Sequence, residues 1–276
     1  MKKSDRKFNK ILEDIKNIKI QGAEAIAKAG LEAYIIEPNK NSLKKIIATR
    51  PTEPMMQKFL KIASNSAKPK ITAKKLLTYQ EKSKKKIAEI GSKLIKEDMN
   101  VFSHCHSSTV IEILKYAKQK RKKKFVVYTL EVEPLLQGRQ TAKDLAKAGI
   151  KVIVFPDLAA EAALKKCDLF LFGVDAFTKN KLANKIGTSM LCQIAKAHRI
   201  PRYSCGNSLK YTSKIKIEKR KPREVWDARN ENIHVMNPAF DLTSYKYITG
   251  IISELGILKP NVFVNKAKQN LKKWTK

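Results

Sequence analysis

The stretch Ser-His-Cys-His-Ser-Ser at residues 103–108 joins a short apolar run at 99–102 to a helical segment at 109–118. The pattern predicts a buried strand that passes directly into a helix. At such a junction Cys105 lies near the positive end of the helix dipole. This position predicts a lowered thiol pKa and a thiol available for proton transfer or attack. The amide-rich start of a helix also suits a phosphate group.

The alternation of strand and helix continues toward the C-terminus. Strands are predicted at 125–130, 152–155, 169–172 and 202–205, and helices at 140–148, 158–166 and 187–198. This alternation is typical of a parallel sheet with right-handed crossovers, in which ligands bind at the carboxyl ends of the strands. The sequence contains neither a Gly-x-Gly-x-x-Gly nor a Walker motif, which argues against the usual modes of dinucleotide and nucleoside triphosphate binding.

A carboxylate follows one of these strands. Asp175 belongs to Gly-Val-Asp-Ala-Phe at 173–177, directly after the apolar run at 169–172. A thiol and a carboxylate at the same edge of a sheet form the arrangement that acid–base chemistry in an α/β cleft requires. The simpler alternative is that Asp175 only caps the N-terminus of a helix.

The first third of the chain has a different pattern. Apolar residues recur at helical spacing, Asn-Ser at 41–42 is a candidate helix cap, and the segment at 51–54 is a candidate helix start. A long lysine-rich helix is predicted at 71–95. The predicted fold is therefore α/β, with a helical N-terminal domain at 1–96 followed by a Rossmann-like parallel-sheet domain at 97–276 that carries the site.

The charge of the chain is strongly positive, with a formal net charge of +33. Lysine supplies most of it, since only nine of the 58 basic residues are arginines. Arginine is the residue that base edges and phosphates usually select, so the pattern favours solvated lysine surfaces. Loose electrostatic attraction to nucleic acid or to an acidic partner is the alternative, and no motif for sequence-specific binding accompanies it.

The cysteines indicate a reducing compartment, and the hydropathy pattern indicates a protein without a membrane span. Four cysteines at 105, 167, 192 and 205 are widely spaced, which favours free thiols over disulfides. No apolar run reaches the length of a membrane span and the N-terminus lacks the apolar segment of a signal peptide, so we expect a cytoplasmic protein without a membrane anchor. His104 and His106 suggest zinc, but on a strand they face away from Cys105, and no metal site is expected.

Several segments carry a resemblance to a known family. They are Ser-His-Cys-His-Ser (103–107), Gln-Gly-Arg-Gln-Thr-Ala (137–142), Gly-x-Asp-Ala (173–176), Asn-Lys-Ile-Gly-Thr (184–188), Asn-Pro-Ala-Phe-Asp-Leu-Thr (237–243) and Tyr-Ile-Thr-Gly-Ile-Ile (247–252). Together they resemble the family that unites ribose 1,5-bisphosphate isomerases, methylthioribose 1-phosphate isomerases and regulatory subunits of translation initiation factor 2B. Within this family the chain resembles archaeal ribose 1,5-bisphosphate isomerases in particular. In the helical part only Ile-x-Gly-Ala (20–23) and Thr-Arg-Pro-Thr (49–52) match.

The resemblance implies a function and a set of site residues. The isomerases convert an aldose 1-phosphate to a ketose 1-phosphate, and their implicated acid–base pair corresponds to Cys105 and Asp175. The expected substrate is ribose 1,5-bisphosphate, which would become ribulose 1,5-bisphosphate without a metal or an organic cofactor. The residues expected to bind substrate are Gln21, Gly22, Arg50, Ser107, Gln137, Gly138, Arg139, Asn184, Lys185 and Lys210.

The sequence also departs from the family pattern. Gln21 and Glu133 stand where the family has arginines, which weakens the expected grip on a bisphosphate. The alternative function is therefore a non-catalytic protein similar to the alpha subunit of initiation factor 2B. It would bind a nucleotide or a sugar phosphate and contact initiation factor 2. We expect a homodimer or higher oligomer in either case, and a nucleotide activator is left open.

Overall fold

The computed structural model describes residues 3–215 and 220–275 of the chain. Five helices form its N-terminal part: α1 (Lys3–Lys16), α2 (Ala23–Ile36), α3 (Lys40–Thr49), α4 (Pro54–Ser64) and α5 (Pro69–Ser92). Five more follow later in the chain: α6 (Ser108–Gln119), α7 (Gln137–Ala146), α8 (Ala160–Leu164), α9 (Thr188–Ala197) and α10 (Pro260–Thr275). As predicted, no strand precedes residue 99 within the described part of the chain.

The helix starts in this region differ in detail from the prediction. Asn39 caps α3, accepting a hydrogen bond from the backbone amide of Ser42 at 2.9 Å, so the helix begins before the expected Asn-Ser cap at 41–42. The helix α4 begins at Pro54, where the missing N–H of proline costs nothing, and Glu53 is its N-cap. The long helix α5 ends at Ser92.

Among the described residues, ten strands make up two sheets. They are β1 (Met99–His104), β2 (Phe125–Leu130), β3 (Lys151–Phe155), β4 (Leu169–Phe172), β5 (Ala176–Phe177), β6 (Lys181–Lys185), β7 (Arg202–Cys205), β8 (Phe240–Ser244), β9 (Gly250–Ser253) and β10 (Gly256–Leu258). The large sheet has the order β10-β9-β7-β4-β1-β2-β3, and all its pairs are parallel except β10 with β9. The predicted parallel sheet is thus confirmed, with one antiparallel strand added at its edge.

The small sheet was not predicted. It is antiparallel, in the order β5-β6-β8, and two of its strands form a hairpin after β4. A two-residue strand and a partner bounded by lysines at 181 and 185 carry almost none of the apolar alternation that identifies strands. The hairpin folds back over the carboxyl edge of the large sheet, where it contributes to the site described below.

Apolar cores lie on both faces of the sheet and inside the helical part. Phe170 and Phe172 pack on one face, and Leu169 and Leu171 on the other, because all four residues of β4 are buried and alternate in direction. The helix α5 packs in both cores. Leu76 belongs to the helical core, and Ile87, nearer the C-terminus of the helix, packs against the sheet. The predicted domain division at 96 and 97 stays a prediction. No described helix is both long and apolar enough to cross a membrane.

A buried polar cluster connects the helical part to the sheet. Tyr79 of α5 donates a hydrogen bond to the Glu254 carboxylate at 2.6 Å, and the backbone amide of Ser208 donates to the same carboxylate at 3.1 Å. Asn270 of α10 donates to the Tyr79 hydroxyl at 2.8 Å. Since Ser208 begins the short 3₁₀ turn that carries Lys210, this cluster fixes the position of one predicted site residue.

Candidate active site

A cavity of about 260 Å³ lies between the N-terminus of α2 and the carboxyl ends of β1 and β4. The strand order reverses between these two strands, which is where ligands bind in doubly wound sheets. Most predicted site residues line it: Gln21, Gly22, Arg50, Cys105, Ser107, Gln137, Asp175, Asn184, Lys185 and Lys210. The structure thus brings together residues that are more than 180 positions apart in the sequence.

Cys105 is the first residue after β1, and its backbone is in the left-handed region with φ of 67°. This conformation costs a residue with a Cβ roughly 1–3 kcal/mol, and the surrounding contacts hold it in place. Thr141 donates a hydrogen bond to the Cys105 carbonyl at 2.9 Å, and the thiol donates to the Gln137 side-chain oxygen at 3.4 Å. The thiol is therefore fixed in direction at the floor of the cavity.

The expected lowering of the Cys105 pKa is wrong. Burial, followed by the negative charge of Asp175, raises the pKa of this thiol to about 12. Ser107, not Cys105, is the N-cap of α6, where its hydroxyl accepts a hydrogen bond from the Val110 amide at 3.4 Å. Cys105 therefore lies outside the first turn of α6, and burial is the largest effect on the pKa of its thiol.

Two predicted binding residues at the start of α7 do not line the cavity, as far as the described residues define it. A Cβ at Gly138 would lie 1.6 Å from the Leu130 carbonyl oxygen, so this glycine allows α7 to pack against the end of β2. Arg139 is exposed, and its Nε donates to the Glu131 carboxylate at 2.8 Å. Glu133, which stands where the family has an arginine, is exposed as well and is not among the residues that line the cavity.

Asp175 and the hairpin β5–β6 form another wall. Asp175 precedes β5, and its backbone amide donates to the Ala183 carbonyl at 2.9 Å, so the alternative of a helix cap is wrong. Asn184 and Lys185 of β6 are buried, and Asn184 donates to the Thr188 hydroxyl at 3.0 Å. Burial lowers the pKa of Lys185. A carboxylate and a cation thus face the cavity beside the thiol.

The helical part contributes a buried acid that the sequence analysis did not identify. Glu53 lines the cavity with only 8% of its surface exposed, and its carboxylate accepts a hydrogen bond from the Met55 amide at 3.3 Å. Burial first, and then the charge of Asp175, raises the pKa of Glu53 to about 8, so this group holds a proton at neutral pH. In the sequence, Glu53 could have been found from its position directly after the Thr-Arg-Pro-Thr match at 49–52.

A second unexpected acid, Glu24, lies one residue beyond the Ile-x-Gly-Ala match. One carboxylate oxygen is 3.5 Å from the Lys210 ammonium and accepts a hydrogen bond from the Thr109 hydroxyl at 2.9 Å. Burial alone would raise its pKa, but Lys210, Lys84 and two hydroxyl groups outweigh burial and lower it. Glu24 is therefore a buried carboxylate paired with the lysine that was expected to bind a phosphate.

The two histidines beside Cys105 have separate partners. The His104 ring bonds to the Ile186 carbonyl at 3.0 Å, and the His106 ring to the Thr141 hydroxyl at 3.2 Å. Burial lowers the pKa of His104 to about 4, so it is neutral. The strand β1 ends at His104, so Cys105 and His106 lie beyond it. The expectation that all three residues share one strand is therefore wrong. Within 3–215 and 220–275, no cluster of three His, Cys, Asp or Glu groups suits a metal ion.

The segment from Arg220 to the start of β8 forms a further wall of the cavity. Arg220 donates to the Glu224 carboxylate at 2.8 and 3.0 Å, and Asn237 is buried beside them. All three line the cavity. The match at 237–243 included Asn237, but nothing in the sequence pattern distinguished Arg220 from the other basic residues.

The fold and the cavity define a doubly wound α/β protein with a helical cap, whose site combines a protonated thiol, carboxyl groups and the cationic side chains of lysine and arginine. The chain belongs to the initiation factor 2 subunit family, whose sequence model matches residues 18–260. It is 33% identical to a ribose 1,5-bisphosphate isomerase of Pyrococcus furiosus over 96% of this chain and 94% of that protein. It is 34% identical to a putative translation initiation factor eIF-2B subunit 2-like protein of the same organism, covering 92% of this chain and 97% of that one.

A solved structure has the same fold over nearly the whole chain. The translation initiation factor eIF-2B of Pyrococcus horikoshii superposes with a TM-score of 0.82 at 28% identity, and the match covers 93% of this chain and 98% of that one. Membership in the family is therefore supported by sequence and by structure. Because the family includes both isomerases and translation factors, the choice between them depends on the site.

Proposed function

We propose that this protein is a sugar-phosphate isomerase that converts an aldose 1-phosphate to the corresponding ketose 1-phosphate. The observation that carries the proposal is that Cys105 and Asp175, which lie 70 positions apart in the sequence, line the same cavity. The relatedness to a ribose 1,5-bisphosphate isomerase over 96% of the chain supports the same class of reaction. That bisphosphate is the first substrate to test, beside ribose 1-phosphate.

The proposed chemistry uses the thiol as the acid. Cys105 keeps its proton at neutral pH, because burial raises its pKa to about 12. It donates this proton to the ring oxygen as the bond between C1 and that oxygen breaks, which leaves a cation at C1 that the phosphate ester oxygen stabilises. A poorly acidic thiol is a suitable donor here, because the ring oxygen becomes a basic alkoxide as the bond breaks.

Asp175 is the base in this proposal. Hydrogen moves from C2 to C1 with its electron pair, and the C2 hydroxyl gives its proton to the Asp175 carboxylate as the C2 carbonyl forms. Return of that proton to the Cys105 sulfur restores both groups, so the isomerisation needs no external oxidant or reductant. Lys185 and Arg50, which line the cavity, are the proposed contacts to the 1-phosphate.

The experiment is proton NMR of the purified protein with each sugar phosphate. The native protein should form the ketose product, and Cys105→Ser should lose at least about 100-fold in rate. Cys167→Ser is the matched control, since Cys167 is buried on α8's side of the sheet and its thiol donates to the Ala163 carbonyl at 3.3 Å. No product from either sugar with a folded protein would exclude this proposal.

The second candidate is a non-catalytic protein that binds a nucleotide or sugar phosphate and contacts initiation factor 2. Gln21 favours it, because a neutral amide stands in the cavity where the isomerase pattern has an arginine. The 34% identity to a putative eIF-2B subunit 2-like protein also favours it. Binding of a sugar phosphate without turnover would support this function over the first.

A further inference from the structure

We infer that Glu24 and Glu53 are specificity-determining residues, which select a sugar carrying one phosphate and a hydroxyl at its far end over a sugar bisphosphate. This inference rests on the proposed function to the extent that the ligand is a phosphorylated sugar. It concerns the charge of the cavity and not the identity of the catalytic pair. It narrows the proposed substrate class to aldose monophosphates such as ribose 1-phosphate.

The first step concerns Lys210, the cation expected to bind a second phosphate. Its ammonium donates to the Val174 carbonyl at 2.7 Å and lies 3.5 Å from the Glu24 carboxylate. The side chains are only 6% and 10% exposed, so solvent screens this pair little. A phosphate that approached Lys210 would meet an ammonium that is already neutralised by a buried carboxylate.

The second step concerns Glu53. It faces the cavity from the N-terminus of α4, close enough to Asp175, Lys210 and Arg50 for their charges to affect its ionisation. A carboxyl group exchanges hydrogen bonds readily with a sugar hydroxyl, whichever protonation state it has. A phosphate dianion at the same place would raise the cost of ionising Glu53 further and would have to displace or share its proton.

The third step is the balance of charged groups. Among the described residues that line the cavity, four are cationic and four are carboxylic acids. They are Arg50, Lys185, Lys210 and Arg220, and Glu24, Glu53, Asp175 and Glu224. Glu224 accepts two hydrogen bonds from Arg220, so this pair is neutralised as well. With Glu53 protonated, the four cations and the three remaining carboxylates leave the cavity a net charge of about +1. Each phosphate monoester carries about −1.5 to −2 charges at neutral pH, so the cavity offsets part of the charge of one such group and cannot offset two.

The fourth step concerns two positions that were expected to bind substrate but place no cation in the cavity. Gln21 is an exposed amide whose nitrogen donates to the Ile18 carbonyl at 3.0 Å, which leaves its oxygen as an acceptor for a hydroxyl. Arg139 is bound to Glu131 away from the cavity. Gln21 thus offers an amide oxygen to a sugar hydroxyl, and neither Gln21 nor Arg139 supplies a guanidinium for a second phosphate.

Binding tests this inference separately from catalysis. Isothermal titration calorimetry of the full chain carrying Cys105→Ser, which prevents turnover, should show at least tenfold tighter binding of ribose 1-phosphate than of ribose 1,5-bisphosphate. Adding Glu24→Gln and Glu53→Gln should tighten bisphosphate binding at least tenfold, because the Lys210 ammonium loses its carboxylate partner, and should leave the affinity for ribose 1-phosphate within threefold. Glu89→Gln, which removes an exposed carboxylate on α5, is the matched control and should change neither affinity.

The outcomes separate the two proposals. Preference for ribose 1-phosphate without conversion of either sugar supports the selectivity and refutes the isomerase. Conversion of ribose 1,5-bisphosphate with a higher kcat/KM than ribose 1-phosphate supports the isomerase and overturns the selectivity. Equal or tighter binding of the bisphosphate by the chain that retains Glu24 and Glu53 also overturns it.

Discussion

The Cys105 thiol donates a hydrogen bond to the side-chain oxygen of Gln137, at an Sγ–Oε1 distance of 3.4 Å. An amide oxygen accepts hydrogen bonds but cannot remove a proton, so this contact orients a thiol and does not generate a thiolate. A cysteine that acts as a nucleophile is usually present as a thiolate, and this contact supplies no base that would form one. The relationship between these two residues thus favours an acid role for Cys105.

The first prediction follows for thiol reactivity. Because burial raises the Cys105 pKa to about 12, its thiolate is scarce near neutral pH. Iodoacetamide should therefore label Cys105 on the order of 10³-fold more slowly at pH 8 than it labels an ordinary thiol. Mass spectrometry of the Cys105 peptide measures the rate, with the urea-unfolded protein as the reference. Labelling as fast as in the unfolded chain would contradict the acid role.

The second prediction concerns Asp175. Asp175→Asn removes the proposed base but keeps the shape of the side chain, so kcat should fall at least about 100-fold while the Kd for the sugar phosphate changes only a few-fold. Steady-state kinetics and calorimetry measure the two quantities. Asp227→Asn, at an exposed aspartate whose side chain is 74% accessible, is the matched control. Retention of kcat in Asp175→Asn would assign the base role to another residue.

Much of the fold was predictable because the large sheet has a strong apolar pattern. Each of the four residues from Leu169 to Phe172 is buried, and such a run indicates a strand covered on both faces. Cys105 and Asp175 could be located because they follow apolar strands, and a resemblance to known segments assigned them a role. The β5–β6 hairpin was missed because its strands are short and lack a run of alternating apolar residues, so tertiary contacts decide its structure.

The electrostatics of the site could not be predicted from the sequence. The dipole argument for Cys105 considered one helix and omitted burial, which is the larger effect on its pKa. Glu24 and Glu53 are adjacent to the matched segments, but only the fold places them in the cavity and removes their solvent. Arg139 matched the family pattern yet pairs with Glu131 outside the cavity. Desolvation depends on packing, and one-dimensional patterns do not contain it.

The third prediction concerns the cluster that positions Lys210. Tyr79→Phe removes a hydroxyl that donates to Glu254 at 2.6 Å and accepts from Asn270 at 2.8 Å, while the ring can keep its edge contact with Trp274. Leaving these buried groups without a partner should cost about 1–3 kcal/mol of unfolding free energy, measured by urea denaturation. Tyr116→Phe is the control, because no hydrogen bond of its hydroxyl occurs among the described residues. A change below about 0.5 kcal/mol in Tyr79→Phe would contradict the role of this cluster.

The fourth prediction concerns the pH dependence of stability that Glu53 produces. Its pKa is raised from 4.5 to about 8 in the folded protein, by burial and by the charge of Asp175. Between these two values the folded state binds more protons than the unfolded state. The contribution of Glu53 to the free energy of unfolding therefore falls as the pH rises from about 4.5 to about 8.

The comparison of Glu53→Gln with the wild type isolates this contribution, because glutamine does not titrate. His104 and Asp241 also titrate differently in the folded state, with pKa values of about 4 and about 6, but both proteins share them. The variant should thus gain stability relative to the wild type as the pH rises. Urea denaturation at about pH 5.5 and about pH 7.5 measures the two differences in unfolding free energy. If the difference between the two proteins is the same at both pH values, Glu53 is ionised in the folded protein, and the proton that we assign to it at neutral pH is absent.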